Sequence, residues 1–218
     1  MKTILCYGDS NTFGADPEVM FGRFDYETRW TGRLQRLLGP DYDVIEEGLG
    51  GRTTVLDDPL TPGRNGGAFL PVCLESHSPM DLVILMLGTN DFKLRFHMPA
   101  GDTALGLRNL ISTIRQAASG EIGQVLFGGK CPEILLMAPV RVGENIEAGP
   151  FGPMFGRQAI EKSNELAGLL KTLAAEMGCH FFDAGSVAGT GADSLHIHAR
   201  GHAALAEALA KQVREILG

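Results

Sequence analysis

The chain has 218 residues, 44% of them hydrophobic and 21% charged, with a mean hydropathy of +0.04. That balance suits one soluble globular domain over residues 1–218 and excludes a disordered or membrane-spanning chain. Nineteen basic residues against 26 acidic ones leave a net charge of −7 with no basic block, so nucleic acid is not an expected partner.

The first predicted strand, Ile4–Tyr7, starts almost at once, with no apolar signal segment ahead of it, which predicts a cytoplasmic protein. The strand breaks at Gly8-Asp9, and the next residue is Ser10. A helical stripe of Trp30, Leu34, Leu37 and Leu38 leads to a second strand, Tyr42–Glu46. The stretch Glu47-Gly48-Leu49-Gly50-Gly51-Arg52-Thr53-Thr54 follows and opens a long Gly- and Pro-rich connection, Gly51–Pro79. The third strand, Asp81–Leu87, is continuously apolar, as a central parallel strand covered on both faces should be. After Gly88-Thr89-Asn90-Asp91 and a loop, Thr89–Gly101, the residues Leu107, Leu110, Ile111 and Ile114 keep the i, i+3, i+4, i+7 spacing of a helix. Glu133–Ala138 is the fourth strand, and Pro139–Gly156 is its long exit loop. Leu166, Leu169, Leu170, Leu173 and Met177 mark another helix before the fifth strand, His180–Phe182. The stretch Asp193-Ser194-Leu195-His196 precedes a last helix with a stripe of Leu205, Leu209, Val213 and Ile216.

Strands alternating with helices imply parallel pairing through right-handed crossovers. The expected fold is therefore α/β, a three-layer α/β/α sandwich around a five-stranded, flavodoxin-like parallel sheet. In such sheets ligands collect beyond the carboxyl ends of the strands. Ser10 and the three long loops all fall on that edge. Cys6, Cys73, Cys131 and Cys179 are scattered with no CxxC pair, which predicts reduced thiols.

A serine is a weak nucleophile without a base, an orienter for that base and donors for the developing oxyanion. His196 can be the base, and Asp193, three residues earlier, can hold its ring. The backbone amides of Ser10 and Gly51 and the side-chain amide of Asn90 can form the oxyanion hole. Four ordered blocks, around Ser10, Gly51, Asn90 and His196, resemble the SGNH (GDSL-type) hydrolases. Arg29-Trp30-Thr31-Gly32, Arg52-Thr53-Thr54, Asp57-Asp58-Pro59 and Phe182-Asp183-Ala184-Gly185-Ser186 are similar to that family's bacterial arylesterase/acyltransferase (perhydrolase) branch. The resemblance implies a triad of Ser10, Asp193 and His196, no cofactor, no metal, a small-molecule ester substrate and a homo-oligomer whose loops narrow the mouth of the site. It departs from the family's usual pattern at Asn11, which stands where leucine is usual, and at Glu46, where many relatives carry asparagine, while Gly51 is glycine where the acyltransferase has a small non-glycine residue. A pocket is expected from Asn11, Phe13, Phe92, Phe151, Met154, Phe155 and Ile197.

Rival readings attach to several of these residues. Ser10 could only cap a helix. His198 is a rival base and Asp183 a rival orienter. His196, His198 and His202 could hold zinc in a metal-dependent hydrolase, and the first loop could hold a phosphate or flavin in a binding module. The chain has neither a GxSxG elbow nor a GxGxxG fingerprint. Glu46 and Glu47 are strand neighbours facing opposite ways, so they cannot flank one glycosidic bond.

Overall fold

The computed structural model describes residues 1–218. Five parallel strands, β1 (Lys2–Gly8), β2 (Tyr42–Gly48), β3 (Leu82–Met86), β4 (Glu133–Ala138) and β5 (His180–Asp183), pair in the order β2-β1-β3-β4-β5. The register sets Ile4 opposite both Val44 and Leu82, so β1 lies between its neighbours with its C-terminal end level with theirs. The chain leaves β1 for one side of the sheet and later returns to the other. The β1–β3 seam is thus the point where strand order reverses and where a crevice opens.

Side chains alternate across the sheet with the period of two that strands impose. Leu5, Tyr7, Val83, Leu85, Ile134 and Leu136 face one core, and Ile4, Cys6, Val44, Ile84, Leu135 and Met137 face the other. The first core is covered by α3 (Gly66–His77), α4 (Ala100–Ser119) and α7 (Gln158–Met177), and the second by α2 (Trp30–Leu38) and α8 (Ala199–Leu217). The stripes at Leu107, Leu110, Ile111 and Ile114 and at Leu205, Leu209 and Val213 are all fully buried. Leu37 is not part of its expected stripe; it is 40% exposed, while Trp30, Leu34 and Leu38 are buried. Three short helices complete the fold: α1 (Ser10–Phe13), α5 (Glu121–Leu126) and α6 (Gly152–Phe155).

The expected loop Gly51–Pro79 needs correcting, because α3 occupies its second half. Its sequence hid this. Two glycines open the helix, Pro71 sits inside it, and its apolar residues do not gather on one stripe. The loop Thr89–Gly101 contains two 3-10 turns, Thr89–Phe92 and Leu94–Phe96, and Pro139–Gly156 contains α6. All four cysteines are free thiols. No helix is long and apolar enough to cross a membrane.

Candidate active site

The site is built at the end of β1. Asp9, not Ser10, caps α1: its carboxylate accepts the Asn11 amide at 2.9 Å, and Ser10 is the first helical residue. The turn is tight enough to dictate glycine on both sides. A Cβ on Gly8 would meet Thr12 Oγ1 at 2.1 Å, and one on Gly48 would meet the Phe13 backbone nitrogen at 2.1 Å. Glycine thus lets the ends of β1 and β2 press against α1 and fixes where Ser10 projects.

His196 comes to Ser10 from the loop before α8. Its Nε2 lies 2.9 Å from Ser10 Oγ, and its Nδ1 lies 2.6 Å from Asp193 Oδ2. The other carboxylate oxygen of Asp193 accepts the backbone amides of Leu195 and His196, each at 2.9 Å. Burial works against the charge of Asp193, but the hydrogen bonds from the His196 ring and from these amides outweigh it and hold the carboxyl below its usual range. An ionised Asp193 keeps the proton of a neutral His196 on Nδ1, leaving Nε2 free to accept from Ser10. The ring edge packs on Phe151, with centroids 5.3 Å apart.

The amides of Ser10 and Gly51 donate to no other protein atom. Gly51 lies in the left-handed region (φ +81), on the loop after β2. Arg52 pins that loop, with its guanidinium over the Tyr7 ring at 4.2 Å and donating to the Gly8 carbonyl at 2.9 Å. Asn90, in the 3-10 turn after β3, gives one hydrogen of its Nδ2 to Asp9 at 3.3 Å, which leaves the other available. Burial raises the Asp9 carboxyl to about 6, against the pull of the Asn11 amide and the His196, Arg52 and Lys93 charges.

A cavity of about 400 Å³ opens over Ser10, Gly51, Asn90 and His196, within the size range of small-molecule sites. Phe13, Phe151, Met154 and Phe155 line it, as expected. Three of the expected pocket residues do not. Phe92 is fully buried and packs into the sheet core. Ile197 is fully buried in the opposite core. Asn11 turns inward, where Oδ1 accepts the Ile197 amide at 2.9 Å and Nδ2 donates to the Leu195 carbonyl at 3.4 Å. It therefore clamps the loop that carries His196 instead of facing a ligand. A loop near the active edge suggested a lining role for Phe92, but the 3-10 turn that carries it directs its side chain into the core.

The rival groups are placed elsewhere. Asp183 forms a two-pronged ion pair with Arg141, at 2.6 and 2.7 Å. His198 caps α8 by accepting the Gly201 amide, and the buried His202 accepts the Trp30 amide. The three histidines therefore do not converge on one centre. The group whose ligand atoms do come together, within 4.8 Å, is Glu47, Cys73 and His77. Burial, reinforced by Glu47, pushes the Cys73 thiol up to about 12, and Glu47 lies 2.8 Å from His77 and 3.9 Å from Arg52.

Sequence reasoning missed the segment between α1 and α2, where Ala15, Pro17, Val19 and Met20 form much of the apolar lip. The signal was present in Val19-Met20-Phe21, an apolar run in an otherwise polar connection. It also missed Arg64, Lys93 and Arg95, which line the same cavity.

With this geometry in place, comparison with known proteins is decisive. The model of the GDSL-like lipase/acylhydrolase family matches residues 6–204. The chain belongs to that family. This GDSL-like hydrolase is similar to solved structures over its whole length. An aryl esterase from M. smegmatis is 40% identical, with all of both chains covered and a TM-score of 0.91. A carbohydrate acetylesterase from Sinorhizobium meliloti is 39% identical, again with both chains fully covered, at a TM-score of 0.90. Among curated proteins no sequence matches it significantly. Family and fold together make the chain a carboxylic ester hydrolase of the SGNH type.

Proposed function

We propose that this hydrolase is a serine esterase that cleaves short-chain acyl or aryl esters through an acyl-enzyme on Ser10. The observation that carries the proposal is His196 bridging Ser10 and Asp193 with hydrogen bonds of 2.9 and 2.6 Å. In the first step Ser10 Oγ bonds to the ester carbonyl carbon while its proton passes to His196 Nε2. The carbonyl electron pair moves onto oxygen, which the amides of Ser10, Gly51 and Asn90 receive. Collapse of the tetrahedral intermediate breaks the carbon–alkoxyl bond, and His196 returns the proton to the leaving alcohol. Water, activated by the same histidine, then releases the acid and regenerates Ser10.

Alcohol or peroxide replacing water in the second half would give a new ester or a peracid. The apolar lip of Val19, Met20, Phe151 and Met154 supports that extension, because it lowers water activity beside the acyl-enzyme. The similarity to a carbohydrate acetylesterase favours a second reading, removal of acetyl groups from sugars, through the same chemistry. A chain-length series of aryl esters run beside an acetylated sugar separates the two readings.

The direct test is Ser10→Ala. Ester hydrolysis falls by up to about 10⁶ with the circular dichroism spectrum unchanged, and fluorophosphonate labelling at Ser10 disappears. Wild-type rates in the purified variant would sink the proposal.

A further inference from the structure

We infer that Arg64 selects esters carrying a carboxylate, an assignment that rests on the esterase reading above and names its substrate class. The cavity lining is of two unlike kinds. Phe13, Met20, Phe151 and Met154 make it apolar in part, and Arg64, Lys93 and Arg95 form a second, cationic wall, with Arg64 and Lys93 against Gly51.

The charges of that second wall do not cancel. The fully buried carboxylate of Asp58 holds both Lys93, at 3.1 Å, and Arg95, at 3.2 Å. One anion therefore serves two cations, and it is committed before Arg64 is counted. The guanidinium of Arg64 makes a single hydrogen bond, to the Pro62 carbonyl at 3.1 Å, and its Nε is enclosed by protein without an acceptor. It has no carboxylate partner. The remaining anions near the cavity are Asp16, Asp9, which holds Asn90 and faces Lys93, and Asp193, which is spent on His196. In a partly desolvated cleft, beside two further cations, the terminal nitrogens of this guanidinium keep N–H donors for a ligand.

Position indicates what that ligand does. Arg64 Nε lies 3.5 Å from the point a Cβ on Gly51 would occupy, and Arg64 Cδ lies 3.6 Å from it. Gly51 presents one of the amides that receive the ester oxygen, so the fork of Arg64 sits one short spacer from the reacting carbonyl. A planar, five-donor fork matches a carboxylate through two parallel hydrogen bonds. The chain as a whole carries a charge of −7 and repels anions at long range, so this attraction is local to the cleft. Such a ligand is a hemi-ester of a short dicarboxylic acid, or the acyl ester of a short hydroxy acid. Its carboxylate docks on Arg64 while the rest lies along the apolar wall.

The experiment compares kcat/KM for charged esters and their neutral isosteres, one pair for each source of the carboxylate. Monoethyl succinate against ethyl succinamate places the charge on the acyl side, and acetoxyacetate against acetoxyacetamide places it on the alcohol side. The anionic member of at least one pair is expected to win by about tenfold to a hundredfold, the range for hydrogen bonds to charged groups. That ratio is expected to collapse toward one in Arg64→Met and to shrink as sodium chloride is raised with the unaltered protein. The salt series stands by itself if Arg64→Met does not fold. A ratio of one or below in both pairs, a preference that persists in folded Arg64→Met, or a preference insensitive to salt would overturn the assignment while leaving the esterase intact. No turnover of 4-nitrophenyl acetate would instead remove the esterase reading, and this one with it.

Discussion

Asn90 shows how much depends on a single amide. One of its Nδ2 hydrogens is held by Asp9, so the group is aimed before any substrate arrives and costs little reorganisation during reaction. Asn90→Ala is expected to lower kcat by about 10²–10³, or about 3 kcal/mol, with KM nearly unchanged; steady-state kinetics on a 4-nitrophenyl ester reads both. Asp193→Asn is expected to cost about 10⁴ in kcat because the amide no longer holds the ring in the required tautomer. Asp183→Asn, which breaks only the pair with Arg141, is expected to leave kcat within about twofold, since it lies outside the bonded chain from Asp193 to Ser10. At this scale the sequence was informative wherever chemistry depends on spacing. Asp193 and His196 are three residues apart, and that turn lets one carboxylate cap two amides and still reach the ring. Asn11 was misread because its partners, Leu195 and Ile197, are distant in sequence, and nothing local announces them.

Among the elements, α1 carries the most consequence for its size. Four residues long, it is too short to be stable alone. It is held by contact with the ends of β1 and β2 and by Trp30, whose indole donates to the Asn11 carbonyl at 3.2 Å. Gly48→Ala drives a methyl into the α1 backbone. It is expected to destabilise the fold by about 1–3 kcal/mol, seen as a lower midpoint in urea, and to reduce kcat because Ser10 moves with α1. The strands were legible because burial on both faces leaves continuous apolar runs, as in Leu82-Val83-Ile84-Leu85-Met86. Helix α3 was not, because Gly66, Gly67 and Pro71 carry the local preferences of a turn. Tertiary contacts override them, among them the Tyr7 hydroxyl donating to the Gly66 carbonyl at 2.7 Å.

Across the whole molecule, buried titratable groups pull stability in opposite directions with pH. Burial, reinforced by His198 and the nearby Arg33 and Arg29, lowers His202 to about 3. The unfolded chain therefore binds the proton more readily. The contribution of His202 is complete above its ordinary value of about 6.5 and is lost as pH falls from there toward 3, at up to about 1.4 kcal/mol per pH unit. His202→Gln, which keeps an acceptor for the Trp30 amide, is expected to flatten the fall in Tm below pH 6.5. Burial has the reverse effect on Asp91, raising it to about 7 despite hydrogen bonds from the Thr54 hydroxyl and amide. Here the folded state holds the proton more tightly, so stability is greatest at low pH and falls as pH rises through 7. Asp91→Asn is expected to gain on the parent protein as pH is raised from 5 to 8, measured by denaturant unfolding at each pH.

The bond between Ser10 and His196 joins residues 186 apart in the chain. A ribosome releases the nucleophile well before its base, so the nascent polypeptide carries an inert serine until the loop bearing His196 and α8 have docked. The same holds on refolding, since long-range contacts of this kind are among the last to repay their loop-closure entropy. Ester turnover is therefore a reporter of completed folding: it switches on when Ser10 and His196 meet, and it stays silent in any intermediate that has only the sheet.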